Sequence, residues 1–480
     1  MKHAIRLLVL LGAGLAISSP LPAADSRPNF IIFIADDAAW NDIGCYGNPA
    51  VRTPNLDRLA REGMRFDQAL LTTSSCSPSR CSILTGRYPH ATGAEQLHWP
   101  LPARQVTFVE LLRRHGYWTC SAGKWHLGPA AVKKFDRVIH GVKNNPWLRA
   151  LRERPQGKPF FLWAAFVDPH RPYQPGAVDP PHKPEEVVVP PFLPDVPEVR
   201  RDLALYYDEI SRMDRHIGQV LQELERQGVA EETFVLFISD NGRPFPRCKT
   251  TLYHSGIKTP WIVRYPKLVR PGTVCRSLVS AVDIAPTVLE LAGVPVPSTF
   301  QGRSFLPLLK DPQATIRRLA FAEQNWHDYA AHRRAVYDGR YKYIWNAYPE
   351  LPMTPPADAV SGPSFQAMLR LHAQGKLRPE QCTCFRKPSP REELYDTQAD
   401  PFEMRNLAGD PRYRPVLERL RRELQNWQQA TGDRVPPVRT PDEFDRTTGK
   451  VLPGYISGRR SPRPGEAVRP DQLDPTTPQR

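Results

Sequence analysis

The sequence predicts an α/β fold: a large mixed, mostly parallel sheet flanked by helices, with a smaller C-terminal α+β subdomain. Continuous apolar runs are typical of strands buried on both faces of a parallel sheet. Such runs occupy residues 29–35, 117–122, 160–167 and 233–239. Helical patterns lie between them, as in βαβ units. After about residue 318 the alternation gives way to a hairpin pattern at 334–346 and a helix at 415–431.

The 480 residues suffice for these two units and for flanking segments. Residues 1–24 combine a basic start, a short apolar run and small residues, the pattern of a signal peptide. We therefore expect export, to a periplasm or as a secreted protein, without stable membrane insertion. Residues 25–315 form the predicted α/β domain and residues 316–435 the α+β subdomain. Residues 436–480, rich in proline and arginine, are expected to be a disordered tail.

The net charge of +15 indicates a polyanionic partner or a basic solubilising surface. Nucleic acid is not expected, because the basic residues are scattered and no recognition helix or zinc finger is present. A non-catalytic polyanion-binding protein remains an alternative. Eight cysteines leave disulfides open, since pairing cannot be read from sequence. The oligomeric state, a homodimer included, also stays open.

Polar residues follow each of the four apolar runs. The four strand ends carry Asp36-Asp37, Gly123-Lys124-Trp125-His126, Asp168-Pro169-His170 and Asp240-Asn241-Gly242. Ligands of open α/β sheets bind outside the carboxyl ends of the strands, so these groups are expected to share one site. Carboxylate and amide oxygens suit Ca²⁺ or Mg²⁺. The lysine and histidines suit an anion held beside that cation.

A cysteine precedes a predicted short helix in Cys76-Ser77-Pro78-Ser79-Arg80. Proline is favoured in a first helical turn, and Gly86 provides a stop after a helix over 78–84. Cys76 would then lie at a helix N-terminus, where unpaired N–H groups favour negative charge. A buried core cysteine is the alternative interpretation. The four polar strand ends favour a chemical role for Cys76 over a place in the core.

This segment resembles the Cys-x-Pro-x-Arg signature of type I sulfatases, which have an alkaline-phosphatase-like fold. The polar strand ends match that family in the same order, over the mature chain to about residue 435. A closer resemblance is to the heparan N-sulfatase branch. The residues that carry it include Arg212-Met213-Asp214, Ser239-Asp240-Asn241-Gly242, Pro363-Ser364-Phe365-Gln366 and Glu393-Leu394-Tyr395-Asp396.

The resemblance implies that a formylglycine-generating or radical maturase enzyme converts Cys76 to formylglycine, whose hydrate attacks sulfur. It implies a cation, Ca²⁺ in preference to Mg²⁺. The implied metal ligands are Asp36, Asp37, Cys76, Asp240 and Asn241. Arg80 and His126 would orient the converted side chain, Lys124 and Lys249 would bind sulfate, and His170 would protonate the leaving atom. The candidates for sugar contact are Glu95, His98 and Arg171.

The implied partner is a sulfated glycan, with the N-sulfate of glucosamine in heparan-type chains as the favoured substrate. The sequence departs from the family patterns at two places, which leaves the identity of the sugar substrate open. Lys249 stands where heparan N-sulfatases carry arginine, and His254-Ser255-Gly256 replaces the Glu-Gly-Gly of arylsulfatases. An O-sulfatase acting on another polysaccharide or on an aryl sulfate therefore remains an alternative. A phosphatase of this fold would use a Thr or Ser nucleophile and a second metal site, which these motifs do not supply.

Overall fold

A computed structural model describes residues 27–453. The predicted signal peptide at 1–24 lies outside the described residues. Within them, the structure has three sheets. The strands are β1 (Asn29–Ala35), β2 (Met64–Phe66), β3 (Ala69–Leu70), β4 (Trp118–Gly123), β5 (Arg137–His140), β6 (Phe160–Ala165), β7 (Thr233–Ser239), β8 (Trp261–Arg264), β9 (Thr273–Cys275), β10 (Val279–Ser280), β11 (Ala320–Gln324), β12 (Arg333–Tyr337), β13 (Tyr341–Asn346) and β14 (Glu392–Asp396).

The main sheet has eight strands in the order β5-β4-β6-β1-β7-β8-β2-β9. Its central strands are parallel, and β8 runs antiparallel to both β7 and β2. β3 and β10 form a short parallel pair. The predicted mixed, mostly parallel sheet is therefore confirmed.

Helices cover the main sheet and continue into the C-terminal region. They are α1 (Pro54–Glu62), α2 (Cys76–Thr85), α3 (Pro89–Thr92), α4 (Phe108–Arg114), α5 (Pro146–Arg152), α6 (Pro197–Arg226), α7 (His254–Ile257), α8 (Ile284–Leu291), α9 (Leu306–Lys310), α10 (Ala357–Val360), α11 (Pro363–Ala373) and α12 (Arg414–Thr431). No helix within residues 27–453 combines the length and apolar character needed to cross a bilayer.

Alternate residues of β1 point into two different cores, as the pleat of a strand requires. Ile32 and Ile34 pack in one cluster, whereas Ile31 and Phe33 pack in the other, which includes Met213 of α6. All four β1 residues are fully buried. The continuous apolar run of the sequence thus reflects a strand covered on both faces.

The C-terminal region contains an antiparallel sheet in the order β11-β12-β13-β14, with α12 packed against it. This confirms the predicted α+β subdomain, although its proposed boundary at 315/316 stays a prediction. Residues 436–453 differ from the expected disordered tail, because they contact the folded protein. Trp326 Nε1 donates to the Pro441 carbonyl at 2.8 Å, and Arg446 donates to the Ala330 carbonyl at 3.2 Å. The rest of the predicted tail lies outside the described residues.

Candidate active site

Backbone hydrogen bonds bring three of the predicted strand ends together. The Asp36 N–H donates to the Asp168 carbonyl at 3.0 Å, and the Asp240 N–H donates to the Ala35 carbonyl at 3.1 Å. Parallel pairing of β1 with β6 and β7 therefore continues one step beyond the strands. The side chain of Asp168 turns away from this edge, because Arg212 pairs with its carboxylate at 2.6 and 2.9 Å.

An oxygen-rich cluster lies at this edge of the sheet. One ligand atom each from Asp36, Asp37, Cys76 and Asp240 falls within 4.8 Å of all the others, and all four residues are buried. Asn241 joins them by donating its Nδ2 to Asp37 Oδ1. Asp36 Oδ1 and Asn241 Oδ1 are buried without a hydrogen-bond partner. Two such oxygens beside further carboxylates fit a hard divalent cation.

Cys76 is the first residue of α2, which begins two residues earlier than predicted. Gly86 ends the helix in a left-handed conformation, with φ of 60°. The Cys76 Sγ lies 3.9 Å from Asp37 Oδ1. Burial raises the pKa of the Cys76 thiol well above its ordinary value, although Lys124 and Lys249 oppose this effect. The unmodified thiol is therefore a poor nucleophile, since the thiolate is the reactive form.

Arg80 connects α2 to the carboxylate cluster. Its Nε and one terminal nitrogen both lie 2.8 Å from Asp240 Oδ2, and that terminal nitrogen is 3.8 Å from Asp36 Oδ1. The side chains of all three residues are fully buried. Burial disfavours the charged form of Arg80, but Asp240 and Asp36 raise its pKa overall. The ion pair fixes the start of α2 against β1 and β7.

Two lysines neutralise the acidic pair at the end of β1. Lys124 Nζ pairs with Asp36 Oδ2, and Lys249 Nζ lies 2.8 Å from Asp37 Oδ2. Gly123 allows the chain to turn toward Lys124, because its φ is +103° and a Cβ there would lie 1.8 Å from the Ala165 carbonyl oxygen. Burial disfavours both ammonium groups, but the pKa values of Lys124 and Lys249 are raised overall by Asp36 and Asp37, respectively.

Three of the predicted histidines also lie at the site. His126 Nε2 is 2.8 Å from His98 Nδ1, and both residues have left-handed backbones. Burial and the charge of Lys124 lower the pKa of His126 to about 2. His170 Nδ1 donates to the Arg171 carbonyl, so its Nε2 points toward Asp37 Oδ2, 3.9 Å away.

Arg171 and Glu95 differ from their predicted placement as sugar contacts. Arg171 forms a bidentate pair with Asp202 at 2.7 and 2.8 Å, and its Nε donates to the Pro244 carbonyl at 3.0 Å. These acceptors turn the guanidinium into the protein. Glu95 lines a separate small cavity, together with Gln96, Trp326 and Thr440.

Sequence reasoning missed two residues near the site. Asp358, in α10, has its Oδ2 3.7 Å from Lys249 Nζ. His327 Nδ1 lies 2.7 Å from the Ser75 Oγ, beside Cys76. Both residues belong to the C-terminal region, whose contacts with the main sheet have no local sequence pattern. Asp358 offers one signal, as a lone acid among proline, alanine and valine residues, whereas His327 lies in a polar stretch and offers none.

Family comparison agrees with this fold and geometry. The model of the family described as Sulfatase matches residues 28–294, which is more than half of the chain. The chain belongs to the sulfatase family of hydrolases. A second family, described as N-sulphoglucosamine sulphohydrolase, C-terminal, matches residues 248–350.

Two relatives align over most of the chain. The human N-sulphoglucosamine sulphohydrolase is 34% identical, over 87% of this chain and 93% of the relative. An ulvan-active sulfatase of Formosa agariphila is 33% identical, over 85% of this chain and 76% of the relative.

Solved structures share the fold at lower identity. One, described as a complex with its substrate D-glucosamine-2-N,6-O-disulfate, has a TM-score of 0.64 at 22% identity, over 87% of this chain and all of the other. The phosphonate monoester hydrolase of Agrobacterium radiobacter has a TM-score of 0.65 at 18% identity, over 84% and 96% of the two chains.

Proposed function

We propose that this sulfatase hydrolyses the N-sulfate of glucosamine in heparan-type glycans, using a formylglycine made from Cys76 and a bound Ca²⁺. The observation that carries the chemistry is the position of Cys76 at a helix N-terminus, close to Asp37 and within the electrostatic influence of Lys124 and Lys249. The substrate is supported by the human relative and by the C-terminal family match. The net charge of +15 suits a polyanionic glycan.

Conversion of Cys76 explains why a protonated thiol occupies the centre of the site. The hydrated aldehyde would supply a hydroxyl nucleophile, and the cation would supply positive charge beside it. Asp36, Asp37, Asp240 and Asn241 would hold the cation through their oxygens. Because the family is expected to depend on this conversion, a formylglycine-generating or radical maturase is the implied partner, and export remains the proposed localisation.

The remaining groups bind sulfate and move a proton. Lys124 and Lys249 would contact sulfate oxygens as negative charge redistributes among them. Arg80 and His126 would orient the side chain at position 76. His170 Nε2 lies 3.9 Å from Asp37 Oδ2 on a side chain that is 28% exposed, and it would donate a proton to the leaving nitrogen. An amine leaves poorly without that proton, so a general acid matters for an N-sulfate.

A second candidate is an O-sulfatase acting on another sulfated polysaccharide or on an aryl sulfate. The 33% identity to the ulvan-active sulfatase and the lysine at position 249 favour it. A polyanion-binding protein without activity would leave Cys76 unconverted.

The test is to co-express the chain with a maturase and to measure the peptide mass at Cys76 and sulfate release. We expect an aldehyde at this position and release from N-sulfoglucosamine. Cys76→Ala should abolish release, whereas Cys81→Ala, five residues along the same buried helix, should retain it. Release only from O-sulfated sugars or aryl sulfates would overturn the substrate, and an unmodified thiol after co-expression would overturn the chemistry.

A further inference from the structure

The C-terminal region places a carboxylate beside the two groups that we assign to the sulfate and the leaving atom. Asp358 Oδ2 lies 3.6 Å from His170 Nε2 and 3.7 Å from Lys249 Nζ. The Asp358 side chain is 27% exposed, so it is accessible to a ligand as well as close to these two side chains. A substrate whose sulfate lies between Lys249 and His170 would bring its leaving atom close to Asp358.

Local hydrogen bonds fix the orientation of this carboxylate. The Ala359 N–H donates to Asp358 Oδ1 at 2.7 Å, which leaves Oδ2 facing the site. The preceding Ala357 N–H donates to Asp328 Oδ2 at 2.9 Å. Asp358 Oδ2 is beyond hydrogen-bonding distance of both His170 and Lys249, since such bonds to oxygen rarely exceed about 3.2 Å. Asp358 Oδ2 can therefore still accept a hydrogen bond from a substrate.

Arg171 supports the same segment. Its guanidinium pairs with Asp202 of α6, and the Ser364 hydroxyl donates to Asp202 Oδ2 at 2.5 Å. Arg171 Cζ lies 3.2 Å from the position that a Cβ of Gly362 would take. The segment carrying Asp358 is thus anchored to the α/β domain next to His170, which makes Arg171 a positioning residue.

The chemistry of an ionised carboxylate limits what it can recognise. It accepts hydrogen bonds and donates none. In a sulfamate the atom that joins sulfur to the sugar is a nitrogen that carries a hydrogen. In a sulfate ester the same position is an oxygen without hydrogen, whose lone pairs would face the carboxylate. A carboxylate at this point therefore distinguishes the two substrate classes.

We infer that Asp358 is a specificity-determining residue, whose Oδ2 accepts a hydrogen bond from the N–H of the scissile sulfamate. It selects N-sulfated over O-sulfated sugars. This inference rests on the proposed function and identifies the group that would distinguish its two candidate substrates. It also assigns the C-terminal region a direct part in the site.

Calorimetric binding to the unconverted Cys76 protein, in Ca²⁺ buffer, tests this inference without turnover. The probes are N-sulfoglucosamine and glucose 2-sulfate, which differ at the bridging atom. Wild-type protein should prefer N-sulfoglucosamine. Asp358→Asn keeps the shape, and the Ala359 N–H should hold the amide oxygen, so that an NH₂ group faces the ligand. The ratio of the two affinities should then fall about tenfold or more toward glucose 2-sulfate. Asp338→Asn, in the β12–β13 turn, is the matched control and should leave the ratio unchanged.

An unchanged ratio in Asp358→Asn, or an equal loss of affinity for both probes, would overturn the role of Asp358. If that variant does not fold, wild-type protein with N-methyl-N-sulfoglucosamine, which lacks the hydrogen, gives a second measurement. This ligand should bind about tenfold or more weakly than N-sulfoglucosamine, and equal binding would overturn the inference. Sulfate release by the converted wild-type enzyme separates the two hypotheses. Release from N-sulfoglucosamine with an unchanged ratio in Asp358→Asn refutes only the role of Asp358, whereas release from O-sulfates alone refutes the function as well.

Discussion

Arg80 and Asp240 form a fully buried ion pair, in which two guanidinium nitrogens lie 2.8 Å from the same carboxylate oxygen. The pair joins the helix that begins at Cys76 to the end of β7. A buried charge that loses its partner is strongly destabilising, because the desolvation cost of the remaining charge is no longer offset. The pair therefore supports the site and the fold together.

Asp240→Asn should lower the free energy of unfolding by about 3–5 kcal/mol, because the buried Arg80 would lose its hydrogen-bonded carboxylate and keep only Asp36, 3.8 Å away. Urea unfolding of the unconverted, metal-free protein measures this loss. Glu418→Gln removes the exposed partner of Arg414 on α12 and should cause no measurable loss. Equal stability of Asp240→Asn and the wild type would contradict the role given to the pair.

Ca²⁺ should bind to the oxygen cluster of the unconverted protein and stabilise it. At about 100 times its dissociation constant, the ion should add about 2.7 kcal/mol to the free energy of unfolding, and EDTA should remove this gain. Asn241→Ala removes an unpartnered oxygen and should weaken binding about tenfold or more in calorimetry.

The second cluster of potential ligands provides the control for that measurement. His90, Glu323 and Asp433 lie close together, but Arg334 already pairs with Asp433 at 2.7 Å. His90→Gln should therefore leave Ca²⁺ affinity unchanged. If His90→Gln lost Ca²⁺ affinity and Asn241→Ala did not, the ion would bind at the His90 cluster, and the proposed metal site would be wrong.

Lys249→Ala should reduce kcat of the converted enzyme by about 10²–10³-fold, because the variant would lose the buried cation that we propose as a ligand of the sulfate oxygens. Lys249→Arg should retain more activity, since the charge is kept and only its geometry changes. Steady-state kinetics on the released sulfate measure both. Lys267→Ala removes an exposed lysine paired with Glu232 and serves as the control. Comparable kcat in Lys249→Ala and Lys267→Ala would exclude Lys249 from sulfate binding.

Asp433 should contribute a stability that is lost in acid. Burial would raise its pKa, but Arg334 and the neighbouring histidines lower it well below the ordinary 3.8. A carboxyl group with a lower pKa in the folded state stabilises the protein above its unfolded pKa, and this contribution declines as the pH falls. Wild-type protein should have a higher free energy of unfolding than Asp433→Asn. This difference should be largest near pH 7 and should begin to decrease below about pH 4. Urea titrations across this range measure it, and a difference that grows in acid would contradict the prediction.

Much of the fold could be predicted because its signals are local. The apolar runs of β1 and β7 match the observed strands residue for residue, since both strands are covered on two faces and need no polar alternation. The hairpin around Asp338-Gly339 and the helix ending at Thr431 follow equally local rules. The contacts of residues 436–453 were not predicted, because composition alone does not show that this segment forms hydrogen bonds with Trp326 and Ala330.

By itself, the sequence determined that polar groups follow four strand ends and that Cys76 lies at the N-terminus of a helix. The polar groups were expected to share one site, because parallel pairing brings the carboxyl ends of strands to one edge of a sheet. Tertiary structure decided what distant segments add to that edge. It directed Arg171 into a pair with Asp202 and placed Asp358 beside Lys249. These placements depend on how the C-terminal region packs against α6 and the sheet. Such contacts join residues far apart in the chain, where neither periodicity nor spacing carries a signal.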